Sequence, residues 1–166
     1  MEHRKVLSIL VENTPGVLSR VSGLFSRRGY NIDSITAGVT SDPKYTRMTV
    51  VVRGDDQVLD QISKQLNKLV EVQDIKELKE DNAVYRELAL VKVRCNAENR
   101  QSVISIADIF RAKIIDVSCD SLIVELTGAK SKLDAFIQLL DGYEILELAR
   151  TGITGLSRGS EDVRYL

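Results

Sequence analysis

The apolar residues in the first half of the chain switch repeatedly between strand period and helix period, and that alternation leaves few folds open. Lys5 to Val11 (KVLSILV) is a short run of Val, Leu and Ile, the pattern of a mostly buried strand. Asn13 or Thr14 then offers an N-cap oxygen, Pro15 suits a first helical position, and Val17, Leu18, Val21, Leu24 and Phe25 recur at helical spacing. That spacing predicts a helix with one buried face, which Gly29 stops before Asn31 opens the next strand. Ile32 to Val39 (IDSITAGV) alternates as a half-buried strand, Ser41-Asp42-Pro43-Lys44 is a hairpin turn, and Thr46 to Val52 (TRMTVVV) returns antiparallel. Gly54-Asp55-Asp56 starts a second helix with Val58, Leu59, Ile62, Leu66 and Leu69 on one face, and Glu71 to Leu78 alternates as a fourth strand. The order β-α-β-β-α-β is the split βαβ arrangement of a ferredoxin-like sheet with two helices on one face.

Lys79-Glu80-Asp81-Asn82 is a charged break, and a second unit of the same order follows. It reads as a strand from Glu87 to Cys95, a helix from Arg100 to Ala112, strands from Ile114 to Cys119 and Leu122 to Leu126, a helix from Ser131 to Leu140, and a last strand from Ile145. Placing Phe25 on Phe110, a shift of 85 residues, brings Leu18 onto Val103, Val21 onto Ile106, Leu24 onto Ile109 and Ile32 onto Val117. The apolar pattern repeats but the polar chemistry does not, since Gly16 falls on Gln101 and Asn31 on Asp116. The expected fold is α+β, two ferredoxin-like domains in tandem over 1–79 and 84–159, with a polar tail over 160–166. The glycine-punctuated segment Thr151 to Gly159 looks too irregular for a helix or a long strand; either it is disordered alone or it orders against a partner.

Composition removes several classes of function. A formal net charge of -1 gives no electrostatic case for nucleic acid or an anionic membrane. No apolar run approaches a membrane span, MEHRK lacks a signal-peptide core, and the expected location is the cytoplasm. Cys95 and Cys119 sit in separate apolar runs and read as reduced packing residues. His3 is the only histidine, in an N-terminus expected to fray, which excludes Ser-His-Asp and Cys-His nucleophile systems. No Walker motif, GxGxxG or metal-ligand spacing is present. RNA-recognition domains of this topology need stacking aromatics on the central strands, and KVLSILV and TRMTVVV have none. Acylphosphatase-like catalysis would call on a phosphate-cradling loop with an Arg and an Asn, for which only Asn13 and Arg20 stand. The first unit's strands are apolar on both faces, so the sheet face away from the helices needs a cover from the second unit or another subunit.

The stretch from Asn13 to Val17 carries the most chemistry. A helix N-terminus opened by a glycine leaves backbone N–H groups free, and such groups attract a small anion, an amino-acid carboxylate included. An asparagine carbonyl suits the ammonium group of the same ligand. The same residues also fit a plainer reading, in which Asn13 caps the helix and Gly16 fits a turn.

The run ENTPGVLSRVSGLFSRRGYNIDSI, followed by Thr46-Arg47-Met48-Thr49-Val50, resembles the small regulatory subunit of acetolactate synthase (acetohydroxyacid synthase). The likeness continues through Leu90-Val91-Lys92-Val93, Ile109 to Val117, Lys132 to Phe136, and Gly155-Leu156-Ser157-Arg158-Gly159. This resemblance implies an N-terminal ACT domain, a second ferredoxin-like domain and a homodimer. It implies no active site and no cofactor on this chain. The partner is then a catalytic subunit carrying thiamine diphosphate, Mg2+ and FAD, which condenses pyruvate to acetolactate in branched-chain amino-acid synthesis. The small subunit raises that activity and confers feedback inhibition by valine.

Carried over by residue, the resemblance makes Asn13 and Gly16 the loop and helix start that hold the amino acid. Asn31 becomes the amide that reaches it across the ACT dimer interface. The N–H groups near Gly16 and Val17 would take the carboxylate, with Leu18 and Ile32 as apolar neighbours. Thr14-Pro15 falls where the family varies. A free-standing ACT-repeat amino-acid sensor is the alternative; it needs no thiamine-dependent partner and leaves the Gly-Leu-Ser-Arg-Gly segment without a role.

Overall fold

A computed structural model of the chain describes residues 3–160. The chain divides into two compact units, one running to Tyr85 and resuming at Ile153, the other Arg86–Gly152. Both have the expected strand and helix order.

In the first unit β1 (His3–Glu12), α1 (Val17–Arg27), β2 (Asn31–Val39), β3 (Tyr45–Gly54), α2 (Asp56–Leu66) and β4 (Val72–Leu78) build an antiparallel sheet of order β2-β3-β1-β4. The alternation of β1 decides which side chain goes where. Leu7, Ile9 and Val11 face the helices, where they meet Met48, Val50 and Val52 of β3, Val21 and Phe25 of α1, and Leu59, Ile62 and Leu66 of α2. Val6, Ser8 and Leu10 point to the other face and are buried as well, as the two-sided apolar pattern requires. His3 pairs with Gly54 at the start of β1, so the expected fraying does not reach it.

Local signals account for the element ends, with two departures. Asp55 caps α2 by accepting the Val58 N–H at 2.8 Å, a bond of the kind that contributes about 1 kcal/mol. At the end of α1 the Gly29 N–H donates to Ser26 and the Tyr30 N–H to Phe25, and the rings of Phe25 and Tyr30 pack edge-on across that turn. The start of α1 differs from the sequence reading: neither Asn13 nor Thr14 caps it, and Gly16 occupies the cap position with no side-chain bond. Leu18, expected on the buried face, is 49 % exposed.

The second unit comprises β5 (Ala83–Arg94) from Arg86 onward, α3 (Arg100–Ile109), β6 (Lys113–Val117), β7 (Ser121–Gly128), α4 (Lys130–Leu139) and β8 (Ile145–Arg150), with order β6-β7-β5-β8. Its core joins Val91 and Val93 to Val103, Ala107, Leu122, Val124, Leu133, Phe136 and Leu140. Cys95 is buried there as expected, whereas Cys119, expected to be a packing residue, lies exposed in the β6–β7 turn.

The internal repeat is real, but its register over the first helix and the following strand is 82 residues rather than 85. Gly29, left-handed after α1, falls on Arg111, left-handed after α3, and the bulge after Ile32 falls on the bulge after Ile114. Val21 and Phe25 then meet Val103 and Ala107, all fully buried. The phenylalanine match misled because Phe110 lies past the end of α3, where it packs on Phe136. Gly16 now falls on Glu98 and Asn31 on Lys113, so the second unit still lacks the first unit's polar set.

Residues 153–157 depart most from expectation. The sequence puts them in the second domain, either disordered or ordered by a partner. Instead Thr154–Ser157 forms a short strand, β9, in the first unit, pairing the leading end of β5. Ile153, 5 % exposed, closes a small cluster with Val6, Val51, Leu78 and Ala83 on the sheet face away from the helices. The chain's own segment therefore supplies part of the cover that this face needs. Of the expected polar tail, residues 161–166 lie outside the described residues.

Candidate functional site

The turn between β1 and α1 is held by the β2–β3 hairpin. The Asn13 backbone N–H donates to Lys44 O at 2.7 Å and its side-chain Nδ2 donates to Pro43 O at 3.0 Å. This fixes which end of the amide donates and leaves Oδ1 as its acceptor end. Gly16 has φ of 81°, a left-handed conformation that costs other residues about 1 kcal/mol or more. The Val17 N–H, expected free, bonds Thr14 O at 3.3 Å, and the Arg20 N–H begins the helical ladder on Gly16 O. Leu18 and Ser19 thus hold the first-turn N–H groups for which the helix has no carbonyl, at the positive end of its dipole. The Val17 side chain is buried in the core and contributes no surface.

Arg20 borders this corner with its charge paired to Glu71. Its Nη2 lies 2.6 Å from Glu71 Oε1 and 3.4 Å from Pro15 O, and its Nη1 lies 3.1 Å from where a Cβ on Gly16 would sit. Sequence reasoning gave Arg20 no part in amino-acid binding, because its spacing from Gly16 is that of any solvated helix face. Asn13, Gly16 and Leu18 therefore share the corner at the start of α1, at the positive end of its dipole.

Asn31 and Ile32 do not join them. Asn31 is registered with Arg53, and Arg53 with Arg4, whereas Val39 is registered with Thr46 and Thr46 with Val11. Nine residues of β2 separate the two ends, roughly 25 Å along the strand. Within one copy, then, the six residues fall into two groups at opposite ends of β2. That strand is one of the sheet's two outer strands and carries no partner on its far side among the described residues. Leu18, Ile35 and Val39 are exposed apolar residues on α1 and on this edge strand.

Among the described residues there is no group of three or more His, Cys, Asp or Glu placed to hold a metal ion, and no helix is long and apolar enough to cross a membrane.

Comparison with known proteins covers both units. Residues 7–74 match the AHAS small subunit-like ACT domain, and residues 86–159 match the family described as the small subunit of acetolactate synthase. The acetolactate synthase small subunit of Mycolicibacterium smegmatis is 51 % identical over 157 residues, 95 % of this chain and 92 % of that one. The acetolactate synthase isozyme 3 small subunit of Salmonella typhimurium is 49 % identical over 162 residues, 97 % of this chain and 99 % of that one. Among solved structures, the acetolactate synthase small subunit of Thermotoga maritima superposes with a TM-score of 0.90 at 46 % identity, covering 95 % of this chain and 99 % of that chain.

Proposed function

The chain belongs to the acetolactate synthase small-subunit family, and on that premise we propose that it binds and activates the catalytic large subunit and makes it sensitive to valine. Thiamine diphosphate, Mg2+ and FAD belong to the large subunit in this reading, as does the condensation of pyruvate to acetolactate. The observation that carries the valine site is its division along the edge strand β2. An isologous contact between two copies that pairs β2 with β2 must run antiparallel. It sets the Asn31 end of one strand beside the Val39 end of the other, next to the Gly16 corner. The pairing also covers Ile35, Val39 and Leu18 and satisfies the open edge.

Valine then fits by charge. Its carboxylate takes the Leu18 and Ser19 N–H groups beside Arg20, its ammonium takes the Asn13 Oδ1 and the amide oxygen from Asn31 of the partner subunit, and Leu18 with Ile32 flanks its side chain. A ligand gripped by both copies binds one dimer arrangement better than another. That difference, about 1–3 kcal/mol in coupled systems, is what the catalytic subunit senses.

The test is acetolactate production by the matching catalytic subunit, alone, with this chain, and with valine added. The expected result is stimulation that valine reverses. Stimulation indifferent to valine removes the effector role and keeps the partner. No stimulation favours the free-standing sensor.

A further inference from the structure

The turn that opens α1 is held from two sides. On one side the Asn13 N–H and amide bond Lys44 O and Pro43 O of the β2–β3 hairpin. On the other stands the chain leading into β4. There the Glu12 N–H donates to Glu71 O at 2.8 Å, Gln73 Nε2 donates to Glu12 Oε1 at 3.1 Å, and the Glu71 carboxylate meets Arg20 of α1 at 2.6 Å. The first two links stop at the end of β1. The third reaches over the turn, because Arg20 Nη2 also donates to Pro15 O at 3.4 Å. That nitrogen carries two hydrogens, one for the carboxylate and one for the carbonyl.

The guanidinium lies across Gly16. Its Nη1 stands 3.1 Å from where a Cβ on that glycine would sit, closer than side chains ordinarily pack. Gly16 therefore answers two demands, a left-handed backbone and room for the arginine. The root of the Arg20 side chain is fixed as well, since its own N–H bonds Gly16 O at 3.0 Å. Glu71 is the more sheltered partner, with its side chain 20 % exposed against 45 % for Arg20.

We infer that the Glu71–Arg20 pair is the positioning device of the effector site. It clamps the Thr14-Pro15-Gly16 turn in the shape that leaves the Leu18 and Ser19 N–H groups open to a ligand carboxylate, and Arg20 is not itself the counter-ion of that ligand. The inference deepens the valine reading above and rests on it. A turn already in its binding shape takes a ligand without first being ordered, so loss of the clamp lowers affinity. Removal of the Glu71 charge separates the two roles that Arg20 could have. A guanidinium released beside the corner would bind a carboxylate more tightly, whereas an unclamped turn binds it more weakly.

The test uses the full chain. Valine affinity is measured by titration calorimetry for wild type, Glu71→Gln, Arg20→Met and the double variant carrying both. Each single variant is expected to bind valine at least tenfold more weakly. The double variant is expected to stay within twofold of the weaker single one, because both residues act through one clamp. Stimulation of the matching large subunit without valine, and thermal unfolding, are expected to match wild type in all three, since a partly exposed ion pair adds little to stability. Tighter or unchanged valine binding in Glu71→Gln overturns the inference. So do additive losses in the double variant, and so does a fall in stimulation or unfolding temperature that parallels the loss of affinity, which would make the pair a part of the fold alone. A wild-type chain that binds no valine overturns the valine reading itself, and the inference with it.

Discussion

Replacing Arg150 by Met is expected to destabilise the second unit by about 3 kcal/mol, because it strands a buried carboxylate. Glu87 on β5 is only 6 % exposed, and its Oε2 lies 2.7 Å from Arg150 Nη2 on β8. Arg150 Nη1 reaches Asp134 Oδ1 of α4 at 2.7 Å, and Lys130 Nζ holds the other oxygen of that carboxylate at 2.5 Å. One guanidinium thus ties the central strand, an edge strand and a helix together. Burial works against its charge, yet the bonds to Glu87 and Asp134 outweigh burial and hold its pKa above the usual arginine value. Amide exchange along β5 and β8 is the measurement, with protection expected to fall by two orders of magnitude in Arg150→Met. The double replacement Glu87→Met with Arg150→Met is expected to recover most of it, since a buried pair exchanged for apolar side chains costs little. An Arg150→Met chain as protected as wild type contradicts the account.

The same cluster sets a pH dependence. The Lys130 hydrogen bond first, and the Arg150 bond second, hold the Asp134 carboxyl below its usual value of about 3.9. A depressed carboxylate contributes stability that is fully present above its unfolded pKa and is lost as pH falls through the folded one. The second unit is therefore expected to weaken below about pH 4, and less steeply in Arg150→Met, where one of the two bonds is already gone.

Gly155→Ala is expected to lift β9 from the first unit. The new methyl would stand 2.9 Å from Tyr85 Cδ1 and 3.1 Å from both Leu78 Cδ1 and Val84 O. The Tyr85 ring has little room to yield, because its hydroxyl donates to Leu78 O at the end of β4, and Val84 O is backbone. Overpacking of this kind costs about 1–3 kcal/mol, which here falls on a single short strand and not on the whole core. The expected result is faster proteolysis after Asn82 and exposure of Ile153, with Val50 and Ile62 still protected from exchange. Loss of protection throughout the first unit would instead make β9 part of its cooperative core.

Sequence periodicity reached the sheet and helix order because the apolar residues of β1, β3, α1 and α2 repeat at the spacing of the faces they bury. It placed Asp55, Gly29 and the Asp42-Pro43 turn by the backbone that each residue favours. It misread the start of α1 because the Asn13 amide is taken by Pro43, thirty residues away, and no local pattern reports that. Leu18 satisfies helical spacing and yet faces outward, since a helix beside an edge strand has more apolar surface than one sheet covers. β9 was missed for a related reason: four residues that pair a strand some seventy residues away leave no periodicity. The Glu87–Arg150 pair was equally hidden, as nothing in sequence joins residues 63 apart. Asn13, Gly16 and Val17 were legible as helix-start chemistry, Leu18, Asn31 and Ile32 joined them on resemblance, and the division of the six between the two ends of β2 emerged only from strand register.

That division gives the central claim its most direct test. Gly16→Asp places a carboxylate against the open N–H groups, and Asn31→Ala removes the amide at the other end of β2. Each variant alone is expected to bind no valine by calorimetry. Mixed and allowed to exchange subunits, the two form dimers in which one site carries both defects and the other none, so roughly a quarter of the wild-type sites should return with wild-type affinity. Recovery of that fraction means that valine is gripped by two copies of the chain. Two inactive variants that stay inactive when mixed, under conditions where exchange is shown by mass, would place the site within a single copy and contradict the account.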